Sequence, residues 1–177
     1  MNQRMKMPYF LLIGMLLLSA CAAKKEFKDE FDAEKKWIEQ LSQLPPYPDA
    51  SNLIAFDAGS ITDYKHFVDA TSISIGQDGV IRFTLVTQSS TGAMNISFEG
   101  IRCATNERKL YAIGRDDKTW SEPRESEWQP LSFVRQFYAQ RELSKNLFCP
   151  HKQIVGSPEE AIRTLRQGVH PSVQRYR

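Results

Sequence analysis

The chain has 177 residues, 23 of them Lys or Arg and 21 Asp or Glu, for a net charge of +2. That length suits one domain with a real core. So even a balance excludes a broadly basic nucleic-acid binder, and three scattered histidines without helical spacing argue against a zinc centre.

Residues 1–20 read as a secretory leader. Arg4 and Lys6 come first, then the apolar run from Tyr9 to Leu18, then small residues. The run is 10 residues long, whereas a bilayer-spanning helix needs roughly 20, so a permanent transmembrane helix is not expected. Leu18-Ser19-Ala20-Cys21 resembles the bacterial lipobox. That resemblance implies cleavage before Cys21, a diacylglycerol on its thiol and further acylation of the new amine. Several acyl chains anchor far more firmly than one. Ala22 and Ala23 follow, in place of the aspartate that commonly retains lipoproteins in the inner membrane. The expected location is therefore the outer membrane, facing the periplasm, with residues 21–35 as a lipidated tether and the start of a first helix. A conventional leader with a chance cysteine is the alternative.

Removing the leader leaves 157 residues, with 21 basic and 21 acidic side chains. The nominal basicity disappears with it. Cys103 and Cys149 then form an even pair in an oxidising compartment. A disulfide between them closes a loop of about 46 residues and stabilises by about 4 kcal/mol in the chain-entropy picture. A reactive thiol is the other reading, since His151 lies two residues beyond Cys149.

Phe27, Phe31, Trp37, Leu41 and Leu44 recur at helical spacing, with charged residues between them. They predict an amphipathic helix that packs on the core and is stopped by Pro45-Pro46. From Leu53 the period becomes two. Leu53–Phe56, then Ile73 and Ile75, then Ile81, Phe83 and Leu85 read as strands, with Asp78-Gly79 as a hairpin turn. Met94, Ile96 and Phe98 alternate with polar residues, and Gly100 marks a bulge before Ile101 and Cys103. Leu110–Ile113 and Trp120 follow across polar turns. Such short connections force antiparallel neighbours.

The last third turns helical again. Leu131, Val134, Phe137 and Tyr138 share one face. Ser157-Pro158-Glu159-Glu160 starts a further helix that ends at Gly168. The expected fold is α+β: an antiparallel meander of about four to six strands with N-terminal and C-terminal helices packed on it. The single domain spans 36–168. Residues 169–177 are a basic tail, solvated or, on a sharper reading, in contact with anionic lipid headgroups.

Several stretches together resemble the cryptic neisserial protein-like family: Leu44-Pro45-Pro46-Tyr47-Pro48, Asn52-Leu53, Asp78 through Val86, Gly92 through Cys103, and Phe148-Cys149-Pro150. The resemblance runs from about Trp37 to Gly168. It implies a small secreted or lipid-anchored protein of Gram-negative bacteria, with no established activity and no catalytic residues to carry over. Both cysteines fall inside the matching stretches, which suits a structural pair.

No Gly-x-Ser-x-Gly, dinucleotide fingerprint or P-loop occurs in the chain. No cofactor, catalytic residue or metal ligand is assigned. Arg82, Asn95, Glu99 and Arg102, on strands about the hairpins, are the candidate ligand-binding residues, with several sharing a polar face and Tyr47, Trp120 and Trp128 at its rim. Such groups suit a sugar, peptide or carboxylate. A solvated sheet face with cross-strand ion pairs is the plainer account. The expected function is a non-enzymatic binding or scaffold domain, with an envelope protein or cell-wall ligand as partner. The alternative is an envelope hydrolase using convergent acids among Asp57, Asp63, Asp69 and Glu99.

Overall fold

The computed structural model describes residues 36–59, 63–132 and 135–174. Cys21, Phe27, Phe31, Val134, Arg175 and Arg177 lie outside them. Seven strands form one antiparallel sheet: β1 (Leu53–Phe56), β2 (Lys65–Ile75), β3 (Val80–Gln88), β4 (Met94–Arg102), β5 (Glu107–Gly114), β6 (Trp120–Ser121) and β7 (Gln129–Pro130). The first six lie in chain order, and β7 pairs with β5 beside β6. The Asp78-Gly79 turn closes as expected. Gly79 takes φ +75° and its amide donates to the Gly76 carbonyl at 3.1 Å, a backbone region that glycine enters without a Cβ clash.

Three C-terminal helices follow a 3-10 turn at Arg135–Phe137. They are α1 (Tyr138–Glu142), which runs on as a π-helical turn at Leu143–Phe148, then α2 (Pro158–Gln167) and the short α3 (Pro171–Gln174). The α-helical hydrogen bonding thus begins at Tyr138; Leu131 instead sits in a bend, buried, donating its amide to the Asn106 carbonyl at 3.0 Å. Ser157 caps α2 by accepting from the Glu160 amide at 3.2 Å, and Gly168 ends it at φ +76°. The expected capping box is shifted by one residue, because the Glu160 carboxylate accepts from the Gly156 amide at 2.6 Å. Within the expected tail, residues up to 174 include α3, and the His170 amide donates to the Asn146 carbonyl at 2.7 Å.

The register gives the sheet two buried faces. On the helix face, Ile81, Phe83, Leu85, Ile101 and Cys103 pack with Leu131, Leu143, Leu147, Phe148 and Leu165. The Cys103–Cys149 disulfide ties this face to the chain leaving the π-helical turn, with a Cα–Cα distance of 5.2 Å. On the opposite face Val80, Val86, Ile96, Phe98 and Ala112 are also buried. Phe98 stacks against Tyr111 and Trp120, at centroid distances of 5.5 and 6.3 Å. A sheet buried on both sides loses the simple in-out code of a half-solvated one. That is why Ile101 and Cys103 seemed to switch parity after Gly100. No bulge sits at Gly100, which stays in register with Arg82. The irregularity lies across the ladder, where Phe98 pairs Ala112 and Glu99 pairs Leu110, leaving Tyr111 extra on β5. Gly100 serves a different need: a Cβ there would lie 2.7 Å from the Tyr111 ring.

Residues 37–44 are not helical, contrary to the spacing of Trp37, Leu41 and Leu44. They form an irregular strap over the second face, whose polar groups bond the sheet instead of a helix. The Gln40 amide donates to Asp78 Oδ2 at 2.9 Å, and Arg82 Nη2 donates to the Gln40 carbonyl at 3.1 Å. Trp37 Nε1 donates to the Asp78 carbonyl at 2.7 Å. Further on, Trp120 Nε1 reaches the Pro45 carbonyl at 2.9 Å and the Tyr47 hydroxyl reaches that of Arg115 at 2.7 Å. Of the side chains expected to face the core, Trp37 packs on the sheet, while Leu41 and Leu44 point outward at 103 % and 53 % exposure.

Candidate functional site

The four candidate binding residues do not share a face. Arg82 pairs Gly100 across β3–β4 and Arg102 pairs Val80, which puts both on the strap face; Asn95 pairs Thr87 and Glu99 pairs Phe83, on the helix face. Each pair has a different occupation.

Arg82 is a buried structural cation. Its Nη2 lies 2.6 Å from Asp78 Oδ2, with side-chain exposures of 5 % and 1 %, and its guanidinium lies 5.5 Å from the Tyr111 ring centroid. Burial would raise the Asp78 carboxyl, but Arg82 and the Gln40 and Val80 amides together hold it below its usual value. Arg102 stacks its guanidinium 4.0 Å from the Trp37 ring, which meets Trp128 edge-on at 5.7 Å. Glu39 of the strap completes this layer. It is held by Lys109 Nζ at 2.8 Å, the Tyr111 hydroxyl at 2.8 Å and Trp128 Nε1 at 3.2 Å. Burial would raise the Glu39 carboxyl, but those three donors keep it low. Burial first, then the bond to Glu39, pushes the Tyr111 phenol up. Tyr47, Trp120 and Trp128 all serve this face.

Asn95 and Glu99 line a small cleft, about 190 Å³, where α1 crosses the helix face. Pairing sets its floor. His66, Thr87 and Asn95 form one cross-strand row, and Val68, Leu85 and Ser97 the next. Tyr138 and Gln140 come down from α1. His66 bonds Thr87 Oγ1 through Nδ1 at 3.1 Å and the Tyr138 hydroxyl through Nε2 at 2.9 Å. Burial pushes the His66 imidazole below its usual value, so the neutral ring is favoured. Glu99 accepts from Ser97 Oγ at 2.7 Å and from Gln140 Nε2 at 3.1 and 3.0 Å. Arg108 Nη1 lies 3.3 Å from its other side, with the guanidinium 4.0 Å from the Phe137 ring centroid. Two buried atoms about Glu99 are left over, Arg108 Nε and Gln140 Oε1. Gln140 is 8 % exposed, and its buried Oε1 has no hydrogen-bond partner.

Of the other acids considered for hydrolysis, Asp69 and Asp57 do not join Glu99 in the cleft lining. Asp69 pairs Thr84 on the strap face, and its Oδ1 accepts from the Thr71 amide and hydroxyl at 2.9 and 2.8 Å. Asp57 Oδ1 accepts from the Gly59 amide at 2.8 Å, beyond β1. Among the described residues, no group of three metal-ligating side chains converges, and no helix is long and apolar enough to cross a membrane.

His66, Tyr138 and Gln140 escaped the reading of the chain as cleft residues. The usable signal was parity: His66, Thr87, Asn95, Ser97 and Glu99 are polar at positions that register with core residues. Nothing local distinguishes Gln140.

Comparison with known proteins agrees with the fold-level resemblance. The cryptic neisserial protein 1 of Neisseria gonorrhoeae is 31 % identical over 114 residues. That alignment spans 56 % of this chain and 56 % of the relative, so little more than half of either protein is compared. No solved structure matches. The profile of the CNP1-like family matches residues 32–166, and the chain belongs to that family.

Proposed function

We propose that this chain is an outer-membrane lipoprotein, anchored through lipid on Cys21, whose periplasmic domain is a non-enzymatic binding or scaffold module. The anchor reading is supported by Leu18-Ser19-Ala20-Cys21 behind a short apolar run and by Ala22-Ala23 after it. The binding reading is carried by Gln140, which lines the cleft and whose buried Oε1 has no hydrogen-bond partner. A desolvated acceptor without a donor costs about 1–3 kcal/mol, which a ligand N–H or O–H recovers. The cleft's 190 Å³ is below the usual range for small-molecule pockets, about 300–1,000 Å³. It suits one sugar ring or one peptide group of a larger cell-wall or protein ligand.

Hydrolysis of cell-wall material would need two carboxyls on one bond, and among the described residues the groups bonded to Glu99 are Gln140, Ser97 and Arg108, none of them a carboxyl. The test uses the full chain with purified cell-wall sacculi. Retention without cleavage, lost in Gln140→Met, is expected. Cleavage that disappears in Glu99→Gln overturns the binding reading. Labelled palmitate should enter the chain in cells and fail to enter Cys21→Ser; equal labelling would end the anchor reading.

A further inference from the structure

A second cavity lies apart from the floor of the polar cleft. It occupies about 610 Å³ between two turns, and the Cys103–Cys149 disulfide forms part of its wall. One turn carries Asn106, three residues after Cys103; the other carries His151 and Lys152, just after Cys149. Ser144 Oγ donates to Asn106 Oδ1 at 3.0 Å, a second tie across the same space.

Two observations set this cavity apart. The first is charge. Arg141, Lys145 and Lys152 line it against a single carboxylate, Glu142, which accepts from Asn146 Nδ2 at 2.6 Å. Lys145 and Lys152 are exposed and enter no ion pair among the described residues, and here they stand together at one cavity. The second is backbone. Four non-glycine residues among those described have positive φ, and three of them line this cavity: Asn106 at 56°, His151 at 54° and Lys152 at 64°. Asparagine tolerates that region and suits the β4–β5 turn. Histidine enters it more often than most side chains, but a lysine directly after it in the same region is rare, because Cβ crowds the carbonyl. A turn that only reversed the chain would be better served by glycine. Strain of this kind persists where the surroundings enforce it and gathers at ligand sites.

We propose that this cavity binds an organic oxyanion, a carboxylate or a phosphate, with Lys145 and Lys152 as its cationic contacts. The left-handed turn delivers Lys152 to the rim, and the disulfide keeps the two walls in place. The volume falls within the usual range for small-molecule sites, about 300–1,000 Å³. The site shares Tyr138 with the lining of the cleft, but its cationic contacts are its own, and its test does not depend on the cleft.

The experiment follows backbone amide shifts of the full, oxidised chain in detergent, titrated with citrate or pyrophosphate at constant ionic strength. Saturable shifts centred on Lys145, His151 and Lys152 are expected, and the anion that saturates at lower concentration identifies carboxylate or phosphate. Lys145→Glu with Lys152→Glu should weaken binding at least about tenfold, while Lys65→Glu with Arg124→Glu, the same change in net charge elsewhere, should alter it less than about twofold. Lys152→Gly should raise the melting temperature by about 2 °C, relieving the left-handed backbone, yet weaken binding several-fold. Shifts that never saturate, equal weakening by the two double variants, or unchanged affinity in Lys152→Gly overturns the proposal.

Discussion

The two faces of the sheet are both closed to solvent, and they are closed by different physics. On the helix face a continuous apolar layer, Phe83 to Leu143 to Phe148 to Leu165, does the work, aided by one covalent bridge. Its contribution grows with apolar area removed from water and needs no directed partner. On the strap face a segment without regular structure is held at points: Asp78 to Arg82 and Gln40, Glu39 to three donors, Trp37 on Arg102. Point contacts depend on charge state and geometry. The comparison predicts that the apolar layer of the helix face, away from the Glu99–Arg108 pair and His66, is insensitive to pH and salt, while the strap loosens before the core unfolds.

The largest effect should come from the apolar side. Phe148 is fully buried and meets Phe83 at 5.4 Å. Phe148→Ala is expected to cost about 3–5 kcal/mol through lost burial and a residual cavity, measured by urea unfolding of the oxidised chain. A loss under about 1 kcal/mol would mean that the two faces are not divided as described.

Next comes the best-buried point contact. Asp78→Ala leaves Arg82 desolvated without its carboxylate and removes an acceptor from the Gln40 amide. The expected cost is about 3 kcal/mol. Replacing both as Asp78→Asn with Arg82→Met should recover part of it, because no buried charge is then stranded. If the double variant is no more stable than Asp78→Ala, the pair is not what fastens the strap.

Glu39→Gln should have the smallest effect, about 1–2 kcal/mol after discounting for solvent screening. It sharpens the comparison through pH. Burial raises and its hydrogen bonds more strongly lower the Glu39 carboxyl, for a net pKa below 4.5. Its stabilisation is therefore present above the unfolded value and is lost as pH falls through the lower, folded one. Tryptophan emission from Trp37 and Trp128 should report strap release in that acid window before far-UV signal is lost. In Glu39→Gln the acid-dependent step should be shallower. Simultaneous loss of both signals would show that the strap and the core melt as one.

The strands and turns were readable because they answer to neighbours close in sequence. Asp78-Gly79 makes its turn locally, and Ile81, Phe83 and Leu85 alternate whatever lies above them. The strap was misread because Trp37, Leu41 and Leu44 satisfy a helical spacing just as well, and their deciding partners lie far off. Asp78 is 38 residues beyond Gln40, and Tyr111 is 72 beyond Glu39. The placement of the four binding candidates was not legible as one group. Asn95 and Glu99 do line a cleft, but Arg82 and Arg102 were grouped with them because a pattern of period two cannot say which face is covered.

The amino-acid sequence by itself determined the meander, the pairing-competent cysteines and the capped helix at Ser157, since each follows from local backbone chemistry or from counting. Tertiary structure alone decided that both faces are buried, that residues 37–44 lie as a strap, and that His66, Tyr138 and Gln140 line one cleft with Glu99. Those outcomes depend on which distant groups can satisfy a buried charge or amide, and desolvation makes that a property of the assembled fold rather than of any one stretch of chain.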